Sequence, residues 1–306
     1  MLNVCYSAQY FAQTHTNSME KLSAVAAALQ ALPNIRFHAP QLLKKSVFAE
    51  LHDPHYVQAV FRGSPVKLAT MAGFKPWNIQ LRDAIRCIHG GQLLAAKLAW
   101  KHGIAANIAQ GFHHAKYEYG GSFCTFNGLA LVAQQFPHKR IFVLDCDQHG
   151  GDGTAEFARN LDNLYNFSIH GLACGCVQHE RSETRHIHPV HGNFAQYILA
   201  LHEAFRRAQD WGADLIIYQA GMDCHQDDPF GSTWFTRALL QKREEMVFGL
   251  AKQSQIPLLF VLAGGYQALE PLVDLHVMTF QSALKVYGNY ELPQENRRII
   301  MPDPLL

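Results

Sequence analysis

Long apolar runs, an excess of charge of one sign and an ordered cysteine framework are all missing from this 306-residue chain. No apolar stretch approaches the roughly 18 residues that a membrane-spanning helix needs, so a membrane protein is not expected. The opening residues, MLNVCYSAQYFAQTHTNSMEK, carry no basic segment followed by a continuous apolar one, so no cleaved secretory signal is expected and a cytoplasmic protein is. Lys and Arg total 26 against 25 Asp and Glu, and basic residues occur in no block longer than a pair such as Lys44-Lys45. A net charge of +1 gives no electrostatic reason for direct binding to nucleic acid or to a membrane surface. Seven cysteines, an odd number without framework spacing, fit free thiols in a reducing compartment. Cys174-Gly175-Cys176 lacks the second pair or flanking His of a zinc-binding spacing and reads as plain thiols. There is no internal repeat and no low-complexity segment, and the window 62–80 holds neither Asp nor Glu.

What is present is core-forming material. With 48% of residues hydrophobic and 17% charged, the chain is expected to fold as one domain over 1–306. Helices are predicted over 20–32, after the capping candidates Asn17 and Ser18, and over 80–102, where Gly90-Gly91 marks a close-packing point or a break and Gly103 the end. Beyond them strands and helices alternate: strands over 104–109, 141–147, 164–169, 213–219 and 256–262, helices over 127–136, 154–160, 193–211, 236–254 and 268–286. Helices of this length between strands imply βαβ units, and strands apolar at every position, such as IFVL and LIIY, imply a parallel sheet covered on both faces. Residues 62–79 and 171–192 read as long loops.

Four of the apolar runs end in clusters that carry chemistry: Gly111-Phe112-His113-His114, then Asp145 to Gly153 (DCDQHGGDG), then Gln219 to Asp223 (QAGMD), then Ala263-Gly264-Gly265-Tyr266. The carboxyl ends of parallel strands share one edge, so these distant segments can meet in one pocket, and the chain reads as an enzyme. Asp147 and His149 alternate and can point the same way, and Asp223 can supply a third ligand. Two carboxylates and an imidazole suit a single divalent cation with positions left open for water and substrate; zinc is the first choice, with Fe(II) and Mn(II) compatible. Asp145 and Asp152 are each suited to hold one imidazole of His113 and His114 through its far nitrogen. Tyr266 either packs or donates to a developing oxyanion, and Phe123 either lines an apolar channel or belongs to the core. Most of the 18 histidines, His52 among them, read as surface or hydrogen-bonded residues.

Taken in order, GFHHA at 111–115, GGSFCTFN at 120–127, DCDQHGGDG at 145–153, QAGMDCHQDDPFG at 219–231 and LAGGY at 262–266 resemble the zinc-dependent histone deacetylase superfamily, which includes acetylpolyamine amidohydrolases and acetoin-utilisation proteins. The short chain and the GGYQ ending are most similar to its compact class IV branch. The resemblance covers 111–266, is weaker from about residue 80 and offers little in the first 60. It implies the α/β arginase-deacetylase fold, one parallel sheet of about eight strands between helices. It also implies that Asp147, His149 and Asp223 hold one catalytic Zn2+, and that a structural K+ sits near Asp145, Asp147, His149 and Ser168. His114 with Asp152 takes the place of the general base and acid, His113 with Asp145 that of its electrostatic partner, and Tyr266 that of the oxyanion donor. Phe123 and Gly121, with Gly264 and Gly265, are expected along the substrate channel. The implied activity is removal of an acyl group, acetyl or longer, from an acylated lysine in a protein or peptide, or else from a small N-acyl amine such as an acetylpolyamine.

The sequence departs from the pattern in places. His15-Thr16-Asn17 stands for an early His-Pro motif, Ser122 stands where Gly is common, no acidic rim residue occurs in 62–80, and no aromatic wall opposite Phe123 is found in 171–176. A differently shaped tunnel is therefore expected. Two other readings remain: a binuclear manganese ureohydrolase, for which Gly150 and His225 stand where bridging acids belong, and a catalytically silent module that binds acyl-lysine or a partner.

Overall fold

The computed structural model describes residues 1–16, 18–172, 175–231 and 233–288. Its strands are β1 Leu2–Cys5, β2 Ile35–His38, β3 Ile104–Asn107, β4 Ile141–Asp145, β5 Leu164–His170, β6 Ser182–His186, β7 Leu215–Gly221 and β8 Leu258–Ala263. They form one sheet in the order β2-β1-β3-β8-β7-β4-β5-β6, with every neighbouring pair parallel. The helices are α1 Glu20–Leu29, α2 Lys45–Ala49, α3 Pro54–Arg62, α4 Val66–Ala69, α5 Ile79–His102, α6 Gly128–Gln135, α7 Asp152–Asn160, α8 Phe194–Trp211, α9 Arg237–Ser254 and α10 Leu269–Tyr287. Among the described residues, no helix is long and apolar enough to cross a membrane.

The inner strands β1, β3, β4, β5, β7 and β8 are buried at every residue, as expected for strands covered on both faces; of these only β1, the four residues LNVC, is not expected from the sequence. The elements that sequence periodicity does not show are peripheral or short. The outermost strands β2 and β6 are only partly buried, and β6 (SETRH) has no apolar period, so the stretch 171–192 contains a strand as well as loop. Likewise 62–79 contains the single turn of α4, and two short helices occupy 45–62. Helix α1 starts at Glu20 behind Met19, which makes no side-chain cap, so Ser18 is not its N-cap; Asn17 lies outside the described residues. Other helix ends carry capping groups, of which only Gly103 is expected from the sequence. Asn78 accepts from Leu81 N at the start of α5 and left-handed Gly103 ends it, while Asn193 and Gln196 form a capping box at α8.

Gly90-Gly91 is a close-packing point: α5 runs through it unbroken. A side chain at Gly90 would collide with the Gln41 carbonyl, and one at Gly91 with the Tyr10 hydroxyl, which donates to Asn107 Oδ1 at 2.7 Å at the end of β3. Gly91→Ala is therefore expected to lower unfolding stability by about 1–3 kcal/mol through overpacking, read as a reduced Tm. An unchanged Tm would show that α5 does not approach the N-terminal segment this closely.

Candidate active site

Strands β4 and β7 are adjacent, with Asp145 opposite Gln219, so the residues that follow them leave the sheet side by side at its carboxyl edge. Asp147 and His149 come from the first exit and Asp223 from the second. One ligand atom from each lies within 4.8 Å of the others. Backbone amides fix the carboxylates: Gln148 N donates to Asp223 Oδ1 and His149 N to Asp147 Oδ1, both at 3.0 Å. His149 Nδ1 lies 2.9 Å from Asp223 Oδ2 and 3.3 Å from Asp147 Oδ1. Gly264, at φ +44°, lets β8 turn beside them, because a side chain there would strike the Asp223 carboxylate.

The electrostatics of this trio are those of a cation site. Burial and the neighbouring Asp147 carboxylate push Asp223 up to about 7. Burial opposes ionisation of Asp147 too, but His113 and His149 outweigh it and hold this carboxyl below the usual range. At His149 burial is overcome by the two carboxylates, which push the imidazole up to about 11. Two buried carboxylates crowded this closely need positive charge between them, and a divalent ion supplies it with fewer protons to hold. The donor set, two oxygens and one nitrogen, fits such an ion.

Beside the trio stand the two imidazoles. His113 is buried, with Nδ1 2.7 Å from Asp145 Oδ2, and His114 is half-buried, with Nδ1 2.6 Å from Asp152 Oδ1. Their ring centroids are 3.9 Å apart. Burial and then His113 lower the His114 pKa, against the pull of Asp152. In the neutral ring Nδ1–H donates to Asp152 and Nε2 keeps its lone pair. Tyr266 follows the β8 turn, its amide donating to Asp228 Oδ2 at 2.8 Å. Burial, followed by Asp147 and Asp223, raises its phenol pKa well above the ordinary range, so the hydroxyl keeps its proton.

A cavity of about 490 Å³ opens on this group, lined by His114, Lys116, Tyr119, Gly121, Ser122, Phe123, His149, Asp152, Phe230 and Tyr266. Gly121 and Phe123 thus sit on its wall. Gly264 and Gly265 do not: they are buried, packed against Asp223 and Leu272 respectively, and their place is the turn that delivers Tyr266. Ser168 is buried opposite Asp145 in the β4–β5 register, with its hydroxyl 3.4 Å from Gly151 N. His225 is buried apart from the trio, its Nδ1 accepting from Asp227 N. Among the described residues Asp147, His149 and Asp223 form the one such donor group, which does not favour a two-metal centre. Six cysteines are free thiols; Cys174 lies outside the described residues.

Several residues that shape the site are given no role by the sequence alone, although Phe230 lies within the 219–231 motif. Phe230, 65% exposed, meets Tyr266 edge-on at 5.1 Å and provides an aromatic wall that a search of 171–176 does not find; residues 173 and 174 lie outside the described residues. Lys116 Nζ pairs with the second oxygen of Asp152 at 3.1 Å. Lys21 is buried and donates to the Gly264 carbonyl at 2.5 Å. His52, from a region where the motifs say little, is fully buried: Nδ1 donates to the Lys116 carbonyl at 2.8 Å and Nε2 accepts from Asn127 N at 3.0 Å, bracing the loop that carries both imidazoles. Burial lowers its pKa to about 3, consistent with that neutral tautomer. Only the exchange of two ring nitrogens between two backbone groups identifies His52, and spacing does not reveal it.

Residues 15–279 match the histone deacetylase domain. The chain belongs to the histone deacetylase family. An uncharacterized protein of Picosynechococcus sp. is 31% identical over 256 residues, covering 82% of this chain and 85% of its own. Histone deacetylase 2 of Arabidopsis thaliana is 31% identical over 230 residues, which cover 71% of this chain and 59% of the plant protein, less than two thirds of its length. The crystal structure of an acetylpolyamine aminohydrolase from Burkholderia pseudomallei superposes with a TM-score of 0.75 at 18% identity, over 94% of this chain and 99% of that one. The eight-stranded parallel sheet is thus the arginase-deacetylase fold, and family membership places the chain among hydrolases of the deacetylase type.

Proposed function

We propose that this histone deacetylase relative is a zinc-dependent amidohydrolase that removes an acyl group, acetyl or longer, from the side-chain amine of an acylated lysine in a protein or peptide. One observation carries the reading: a three-donor cation site, a carboxylate-oriented imidazole and a protonated phenol converge at the base of one aromatic-walled cavity. A bound zinc ion would polarise the acyl carbonyl and make water more acidic.

The remaining work falls to the chain itself. His114, fixed by Asp152, takes a proton from the attacking water at Nε2 and returns it to the departing amine. His113, fixed by Asp145, supports the charge that develops beside it. The Tyr266 hydroxyl donates a hydrogen bond to the oxygen of the scissile amide as negative charge builds there, an interaction typically worth about 3–4 kcal/mol. Phe123, Tyr119 and Phe230 offer an apolar wall for an aliphatic arm.

The cavity also speaks to the choice between acyl-lysine and acetylpolyamine. Asp152 is the one carboxylate among its lining residues, and it is claimed by both His114 and Lys116. The second ammonium of a polyamine would find Lys116 there and no unclaimed acid, whereas the neutral backbone around an acyl-lysine meets no such penalty. Zinc-loaded protein assayed against acetyl-lysine peptides, longer-acyl-lysine peptides and acetylpolyamines should turn over the peptides, with a hydroxamate chelator abolishing the reaction. Preferred cleavage of acetylpolyamines would reverse the substrate assignment, and turnover indifferent to the chelator would remove the metal from it.

A further inference from the structure

Arg243 is the largest fully buried side chain of the described protein, a guanidinium with no exposed atom in the middle of α9. Its fork reaches across to both strand exits that carry the cation donors. Nη2 donates to the Gly221 carbonyl at 2.7 Å, at the end of β7 and two residues before Asp223. Nη1 donates to the Cys146 carbonyl at 3.4 Å, directly before Asp147, and lies 3.3 Å from the Cys224 sulfur, directly after Asp223. Glu244 aims the fork, its Oε1 accepting from Arg243 Nε at 2.9 Å and Nη2 at 2.7 Å, and from the Tyr218 hydroxyl at 2.8 Å.

Stability alone is a poor reason for such an arrangement, since a buried ion pair is commonly no better than apolar residues of the same volume. Where the side chain is spent is more telling. The last backbone rung between the two segments is Cys146 N to Gln219 O at 3.1 Å; beyond it they are held together by Gln148 N donating to the Asp223 carboxylate and, from behind, by the Arg243 fork. We propose that Arg243 is a positioning residue that bridges the two exits from behind, where no further backbone rung joins them, and sets the spacing of Asp147 relative to Asp223, so that the three donors stand ready for a divalent cation. The proposal rests on reading Asp147, His149 and Asp223 as a metal centre. A lysine cannot replace it, because a single ammonium does not span two carbonyls on different strands while also facing Glu244.

The test is a titration of metal-free protein with Co2+, reading visible absorption for coordination geometry and competition with a chromophoric chelator for affinity. Thermal melts run alongside report folding. Arg243→Lys keeps the charge and loses the fork; the double variant Arg243→Met, Glu244→Gln removes both charges and leaves none unpaired. In folded variants the Kd for Co2+ should rise about 10–100-fold, the usual consequence of losing a partner behind a metal ligand, with an altered absorption band. A merely structural role would lower Tm and leave the affinity and band of the folded fraction unchanged, and that result would overturn the proposal. Failure of both variants to fold would assign Arg243 to the fold alone and overturn it equally. Wild-type protein that binds no Co2+ would instead refute the metal reading itself, and this proposal with it.

Discussion

Tyr266→Phe is expected to lower kcat for an acyl-lysine peptide by about 10²–10³-fold, the usual effect of deleting one oxyanion donor, while KM and metal content change little. The asymmetry between kcat and KM matters. The Tyr266 hydroxyl is held protonated by burial and by the carboxylates at its back, so its hydrogen bond strengthens only as the carbonyl oxygen gains charge. The ring itself stays useful to binding through its edge-on contact with Phe230, and phenylalanine preserves that contact. Steady-state kinetics on folded, metal-loaded variant decide the matter. Full activity would remove Tyr266 from the reaction and return it to packing.

His114→Ala is expected to reduce kcat by about 10²–10⁴-fold, the range typical of a lost general acid–base group, with the ion still bound because His114 is not among its three donors. The pH dependence carries the sign. Burial and His113 lower the His114 pKa, so the ring is neutral at pH 7 and becomes protonated only as pH falls below its ordinary value of 6.5. Activity of the unaltered protein should therefore be maintained around neutrality and decline on the acid side, as the base form is lost. Residual activity of His114→Ala should lack that acid limb. A variant that retains the same acid limb would show that another group takes the proton.

The five central strands β3, β8, β7, β4 and β5 were legible because strands covered on both faces must be apolar throughout: IFVL and LIIY announce β4 and β7 without any partner being known, whereas β1, LNVC, is also inner and buried but is four residues interrupted by Asn3 and is not expected from the sequence. Edge strands obey no such rule. SETRH of β6 pairs on one side, is half wet, and has the composition of a loop, so nothing in it marks a strand. The same contrast runs through the site. Asp147, His149 and Asp223 are readable because they leave apolar strands at one edge, and His113 and His114 because acids stand ready to orient them.

Residues that act across the fold leave no local trace. Arg243 and Glu244 look like the solvent face of an ordinary helix, and only packing shows them buried beneath the strand exits. Phe230 serves as a wall because the segment after β7 folds back beside Tyr266. Gly264 and Gly265 mislead in the other direction. Their sequence neighbourhood suggests the channel surface, but the absent side chains make room for the Asp223 carboxylate and Leu272 in the protein's interior.

The central claim is that three side chains from two neighbouring strand exits grip one cation. Native mass spectrometry of zinc-loaded protein, with Asp147→Ala alongside, tests it most directly. One divalent ion per chain, lost in the variant, is the expected result; two ions per chain, none, or one that survives Asp147→Ala would contradict the account.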